Sequence, residues 1–547
     1  MIRRSTFSIW ACAITLAFSV HSAQSADTRL QQARRLLEGE HKDEPQARKL
    51  LLEIVRNARG DTLVWADIYL GYIDDRANNR QSALGWYESA LKVKGASPGG
   101  LDIARIGLKQ PIVWIRHLDP GEPPPPPRPP TTPIKNSTAY VTRDRPAGLT
   151  PATNLSAEQR LQNFEALWSL IDANYAHFKL KSIDWAEVHS RYLSRLKPLM
   201  SDDDFYRMMF QLVNELKDTH SWLDNYKETL PADVPDMPID IFSGRPFVIA
   251  GARAGWEVIS VDGMAPKDKM ESLRPYLRGT SSTRAFERQA SRSLLAGKEG
   301  ENISITLRSP DGRIETESFV RTGRKRGTPA QPVPGYLTRQ RFVHFGLHPS
   351  GIGYIKIESF NGGGEITQEF DRALEALREA PALILDIRDN PGGFGHPEIS
   401  GRFVQERVRV GFSYVRNGPA HTAFAIREAY LAPSGTWQYT RPVALLVNDV
   451  TGSASDLFAN ELRSAGRVIT LGTTTHGNLS GVAVYAVLPC GLVVRISNGY
   501  ITDANDRPIE VNGNIPDIAV DVDIQDYLTG RDPVLERAVE AVLKKNQ

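Results

Sequence analysis

The chain has 547 residues, 66 basic and 64 acidic side chains for a net charge of +2, and is 41% hydrophobic and 24% charged. That balance is globular and leaves room for about three or four domains, while no long basic block offers a surface to nucleic acid or an anionic membrane. Only two cysteines occur, and no Cys/His cluster has the spacing of a zinc site, so metal dependence is not expected.

In chain order, residues 1–26 join Arg3 and Arg4 to an apolar stretch from Ile9 to Val20 and then to small residues. This is the layout of a secretory signal peptide cut near Ser25 or Ala26, and the stretch is short for a membrane span. The mature chain is therefore expected to be exported, periplasmic or extracellular, with no membrane span. Cys12 lies in the leader, which leaves Cys490 alone; with no internal disulfide possible, stability must come from burial.

Residues 27–117 have helical periodicity. Leu70, Gly71, Ala83, Tyr87 and Ala90 fall where a helical hairpin repeat places its packing residues, and Ala47, Leu51 and Ile54 form an earlier copy about 36 residues upstream. The segment resembles a tetratricopeptide or Sel1-like repeat, which implies either a protein partner or simple packing. Residues 118–137 include "DPGEPPPPPRPPTTP", where proline fixes φ and removes donors; this predicts a stiff polyproline II linker of roughly 45 Å.

A helical subdomain is predicted over 138–237. Leu161, Phe164, Leu167, Trp168, Ile171 and Tyr175 form one stripe, and Phe205, Met208, Met209, Leu212, Val213 and Leu216 a second, after a Ser201 cap. The second helix gives way to "KDTHSWLDNY", which places His220 just beyond it. Residues 238–330 alternate strands and turns, with Asp311-Gly312 as a hairpin signal; "GWEVISVDG" and "SITLRSPDG" resemble strands of a PDZ-like module. Over 331–547 strands and helices alternate as an α/β core, with "VAVYAVLP" and "LVVRISNGY" expected to extend its sheet. The fold class expected is multidomain α/β.

The chemistry concentrates in "VNDVTGSASDLFANEL", residues 448–463. A serine hydroxyl needs a base, an orienter for the base and donors for an oxyanion. Ser453 stands between a strand and a helix, the mechanical setting of a nucleophile elbow without its GxSxG spacing. On the local sequence alone, Ser453 or Ser455 as the cap of a helix beginning near Asp456 is the favoured reading. In "LDIRDNPGGFG" a buried strand runs into a turn whose glycines leave backbone N–H groups open to a ligand.

The order "LILDIRDNPGG", "VALLVNDVTGSASDLFANEL", "VITLGTTTHGN", "RPIEVNGNIPDIAVDV" resembles the C-terminal processing peptidases, or tail-specific proteases. The resemblance implies Ser453 as nucleophile and the N–H groups of Gly392 and Ala454 as oxyanion hole. Many members pair the serine with a lysine, but the matching position here is Asn478, and a neutral amide accepts no proton. A second branch, resembling the tricorn core protease, implies His220 as base and Glu510 as its orienter, with Thr219 a possible auxiliary and His476 the rival base. A histidine past a helix end also suits the last carbonyls, and Glu510 suits a surface position. The function implied is an exported serine endopeptidase acting on peptides or proteins, without a cofactor; the alternative is a catalytically idle family member that binds peptides or partners.

Overall fold

A computed structural model describes residues 26–112, apart from 27, 35, 38–42, 78, 97, 110 and 111, and residues 139–544, apart from 228–230, 232, 326–333, 394 and 395. Residues 1–25 of the expected leader and all of the expected linker, 118–137, lie outside the described residues. The chain forms two compact units, Met1–Arg128 and Pro129–Gln547.

The first unit contains helices α1 (Glu44–Asn57), α2 (Gly60–Arg76), α3 (Arg80–Leu91) and α4 (Pro98–Lys109). The small positions matter because they let helices approach. A Cβ on Gly71 would meet the Tyr87 ring at 2.4 Å, and one on Gly107 would meet the same ring at 2.6 Å. Ala47, Leu51, Ile54, Leu70, Ala83, Tyr87 and Ala90 are all buried. Asp74, also buried, accepts hydrogen bonds from Arg48 (2.6 Å) and Trp86 (2.9 Å), which ties α1 and α3 to α2.

The second unit begins with helices α5 (Ala157–Asn174), α6 (Trp185–Leu193) and α7 (Asp202–Asn214). Ser201 caps α7 by accepting from the Asp204 N–H at 3.1 Å. The stripe of α7 is buried throughout, whereas on α5 Leu161 is 44% exposed and belongs to the outer face. A β-rich module follows. Its sheet runs in sequence order through β1 (Ile239–Phe242), β2 (Arg245–Val248), β3 (Glu257–Val261), β4 (Asn302–Arg308) and β5 (Ile314–Val320), which leaves β1 at an edge beside helix α9 (Thr283–Ser291); helix α8 (Pro266–Leu273) packs on β3. Gly312, at φ 87°, turns the β4–β5 hairpin.

The α/β core is a six-stranded sheet, also in sequence order: β6 (Val343–Leu347), β7 (Gly353–Ile357), β8 (Leu383–Asp386), β9 (Val443–Val447), β10 (Ile469–Gly472) and β11 (Ile518–Ala519). Only β6 runs antiparallel to its neighbour. Period-two alternation decides the faces. Val443, Leu445 and Val447 pack under helices α10 (Gly364–Ala376) and α12 (Ala454–Ser464), while Ala444 and Leu446 pack under α14 (Pro533–Lys544), which follows the short helix α13 (Ile524–Thr529). Helix α11 (His396–Ser400) lies in the β8–β9 connection.

The strands expected to extend this sheet do not. Ala483–Val487 and Val493–Ser497 form a separate four-stranded sheet with Tyr140–Thr142 and Trp222–Leu223. The reason is burial: Val484, Ala486, Val494 and Ile496 share one hydrophobic cluster with Phe164, Leu167, Met209 and Leu212 of α5 and α7. This sheet therefore fastens the segment just after His220 to the C-terminal part of the chain.

Candidate active site

β9 ends at a turn, and the turn places Ser453 immediately before α12 with φ 55° and ψ −118°. A non-glycine residue in that region costs about 1–3 kcal/mol and persists only where its surroundings impose it. The impositions are visible. The Ser453 N–H donates to Asn478 Oδ1 at 2.6 Å, and the Gly452 N–H to the Asn390 carbonyl at 3.2 Å. Ser453 makes no side-chain capping bond to α12. Its Oγ instead lies 3.1 Å from His220 Nε2, and the Ser455 hydroxyl is buried without a partner.

Asn478, at the position where the resembling dyad enzymes carry lysine, thus shapes the turn rather than the proton transfer. Its own loop is pinned by a residue the sequence reading missed. Asp456, fully buried in the first turn of α12, accepts from the N–H groups of Gly477 and Asn478, both at 3.1 Å, and from the Thr475 hydroxyl. Burial pushes its carboxyl up to about 7 against those donors. An acid three residues after the serine was readable only as an ordinary first-turn helix residue.

His220 follows α7 in a tight turn. Its N–H donates to Asp218 Oδ1 at 2.8 Å, and its carbonyl accepts from Arg495. Burial, with the positive charge of Arg495, pushes the ring down to about 3, so it is neutral near pH 7 and free to accept a proton. The ring's Nδ1 is buried and has no hydrogen-bond partner. The expected bond from Nδ1 to Glu510 is therefore not formed.

Glu510 is instead completely buried against Lys181, whose Nζ lies 2.7 Å from Oε1 and also donates to the Lys217 carbonyl at 2.7 Å. His177 Nδ1 is 3.7 Å from the same oxygen and 3.6 Å from Asp218 Oδ2. Asp218 is buried, which alone would raise it, yet the Lys181 charge and His177 hold it well below the usual carboxylate range. His177, Asp218 and Glu510 bring one ligand atom each within 4.8 Å of one another, but the Lys181 ammonium already supplies the countercharge a cation would bring. Lys181 and His177 carried no local signal, because each contacts Glu510 across more than 300 residues of chain.

The remaining expectations divide. His476 makes no hydrogen bond to Ser453; its Nδ1 faces the Asp449 carbonyl at 3.2 Å, and burial pushes the ring down to about 4. Thr219 makes no hydrogen bond to Ser453 or to the His220 ring: its Oγ1 accepts from the Ser281 N–H at 3.2 Å and its N–H donates to Ser281 Oγ. On the oxyanion side, Ala454 is the first residue of α12, where an N–H has no intrahelical acceptor. Gly392, at φ 103°, comes so close that a Cβ there would lie 2.7 Å from Ser453 Cβ and 2.8 Å from the Ala454 nitrogen. Its N–H, however, is taken by Asn390 Oδ1 at 2.9 Å.

A cavity of about 540 Å³ lies between β1, α9 and the strand ends at Val447–Val450 and Gly472–Thr473. Arg288 spans it, paired with Asp240 of β1 at 2.5 Å and with Asp449, four residues before Ser453, at 2.9 Å.

Known proteins match the same region. Peptidase family S41 matches residues 351–520, and the tricorn protease C1 domain matches residues 156–214. Carboxyl-terminal-processing peptidase 2, chloroplastic, of Arabidopsis thaliana is 26% identical over 406 residues, 70% of this chain and 72% of that protein. Tricorn protease homolog 1 of Streptomyces coelicolor is 24% identical over 417 residues, 71% of this chain but 35% of its own length. The crystal structure of mature CPAF superposes with a TM-score of 0.56 at 15% identity, covering 71% of this chain and 96% of that one, a likeness of fold. One family match contains Ser453 and the other ends six residues before His220, so the chain is similar to peptidase family S41 over the part that holds Ser453.

Proposed function

We propose that the chain is an exported serine endopeptidase in which Ser453 is the nucleophile and His220 the general base. The observation that carries the reading is the 3.1 Å contact between Ser453 Oγ and His220 Nε2, made by a serine in a strained conformation. Ser453 Oγ attacks a peptide carbonyl as its proton passes to Nε2; the carbonyl oxygen takes the charge beside the Ala454 N–H; the amine leaves with the Nε2 proton; and water then hydrolyses the acyl ester. The Gly392 N–H joins the oxyanion hole once the Asn390 side chain releases it. Glu510 serves Nδ1 of His220 only after leaving Lys181, and Thr219 acts through the backbone that carries His220.

The β-rich module is the PDZ-like element of this reading. β1 is an edge strand with α9 alongside, the arrangement that captures an extended peptide by strand addition, and the 540 Å³ cavity lies against it. The helices of the first unit serve as a repeat-type surface for a protein partner. Among the described residues no helix is long and apolar enough to cross a membrane. The engaged Gly392 N–H favours the second reading, an idle peptide-binding relative. Labelling with a fluorophosphonate separates the two: an adduct on the wild type that disappears in Ser453→Ala supports the enzyme, and no adduct on either protein refutes it.

A further inference from the structure

Among the described residues, two arginines beside the site form no ion pair, although the Asp218 and Asp224 carboxylates act on both from farther off. Arg278 lies over one indole, that of Trp222, with its guanidinium carbon 3.7 Å from the ring centroid, and Arg495 lies over the same ring at 4.5 Å. Arg495 and Trp222 are cross-strand neighbours in the sheet that fastens the His220 segment, so the platform is held by backbone pairing and not by a loose loop. Each guanidinium gives a donor to the base segment: Arg278 to the Thr219 carbonyl at 2.7 Å and Arg495 to the His220 carbonyl. Among the described residues neither forms an ion pair with a carboxylate, in contrast to Arg288, Arg388 and Arg402, each of which does. The nearby Asp224 is engaged by Arg145 and by the Trp222 N–H.

Two like charges sharing one aromatic ring repel. The Arg278 guanidinium end is crowded although the side chain as a whole stays exposed, and that crowding together with the charge of Arg495 pushes it down to about 10. Arg495 also hydrogen-bonds the Tyr485 side chain; the N–H groups left on the two planar forks match a carboxylate, which can accept from both at once. We infer that Arg278 and Arg495, stacked with Trp222, form a subsite for a carboxylate of the peptide substrate, either its free C-terminus or an Asp or Glu side chain. An anion there would also cancel the Arg495 charge that opposes protonation of His220.

This inference rests on Ser453 and His220 being the reactive pair. The test is protection of Ser453 against fluorophosphonate labelling by three tetrapeptides: an all-alanine acid, its C-terminal amide, and the amide with aspartate as last residue. One charge-assisted hydrogen bond is worth roughly tenfold in affinity. At least one carboxylate-bearing peptide should therefore protect at about tenfold lower concentration than the neutral amide, and the more effective one identifies the source of the carboxylate. The preference should shrink toward unity in Arg278→Gln and in Arg495→Gln. Equal protection by all three, no protection by any, or a preference that survives in both variants overturns the subsite. Failure of the wild type to label at all would refute the Ser453 assignment instead.

Discussion

Asn478→Ala probes how Ser453, the proposed nucleophile, is held. The substitution removes the acceptor of the 2.6 Å bond from the Ser453 N–H, and it does so where the surroundings are closed, since Asn478 is 6% exposed. A buried donor left without a partner costs about 1–3 kcal/mol. The strained φ of Ser453 stores about as much again, and that strain is relieved if the turn relaxes. The two terms act in the same direction on the serine: the chain lowers its energy by rotating Ser453 out of φ 55°, which carries Oγ away from His220 Nε2. Expected is a fall in the second-order rate of fluorophosphonate labelling by about 10- to 100-fold, the factor that 1.4–3 kcal/mol sets, with the fold retained by circular dichroism. Wild-type labelling by Asn478→Ala would refute the account, because it would show that the turn holds its conformation without this bond.

His220→Ala should abolish measurable labelling of Ser453, whereas His476→Ala should leave it within a few-fold of wild type; equal losses would break the assignment of the base. Lys181→Met leaves Glu510 fully buried with no ammonium beside it, a loss of about 3–5 kcal/mol, and urea unfolding should show much of that restored in Lys181→Met/Glu510→Gln. For pH, burial holds His220 at about 3 in the folded chain against an ordinary value near 6.5, so the unfolded chain binds the extra proton between those values and stability falls as pH drops through that window. Labelling should accordingly persist below pH 6 and be lost together with circular dichroism; a loss centred near pH 6.5 in a folded protein would contradict the buried, neutral ring.

The parts of the molecule that a sequence shows are those whose signal is local. The α7 stripe, the Ser201 cap, the Asp311-Gly312 hairpin and the buried β9 strand each follow from neighbouring residues, and the ordered motifs around Ser453 carried the site. Leu161 misled because a helical stripe does not say where its edge lies. Pairings between distant segments are not encoded in periodicity: Trp222–Leu223 with Val493–Ser497, Lys181 with Glu510, and the two arginines on Trp222 are set by which apolar faces find each other. The strands at Ala483–Val487 and Val493–Ser497 look like further members of an α/β sheet until helices α5 and α7 offer them a better-matched apolar face.

That long-range sheet has a consequence for when the chain can act. Ser453 and His220 are 233 residues apart, and the strand pairing that fastens the histidine segment to the C-terminal part requires residues up to Ser497. In a growing or unfolded chain the 3.1 Å contact between Ser453 and His220 is therefore not yet made. Non-local contacts of this kind slow folding, because the loop must close before they form. On the proposed roles of Ser453 and His220, reactivity would then arrive only with that strand pairing.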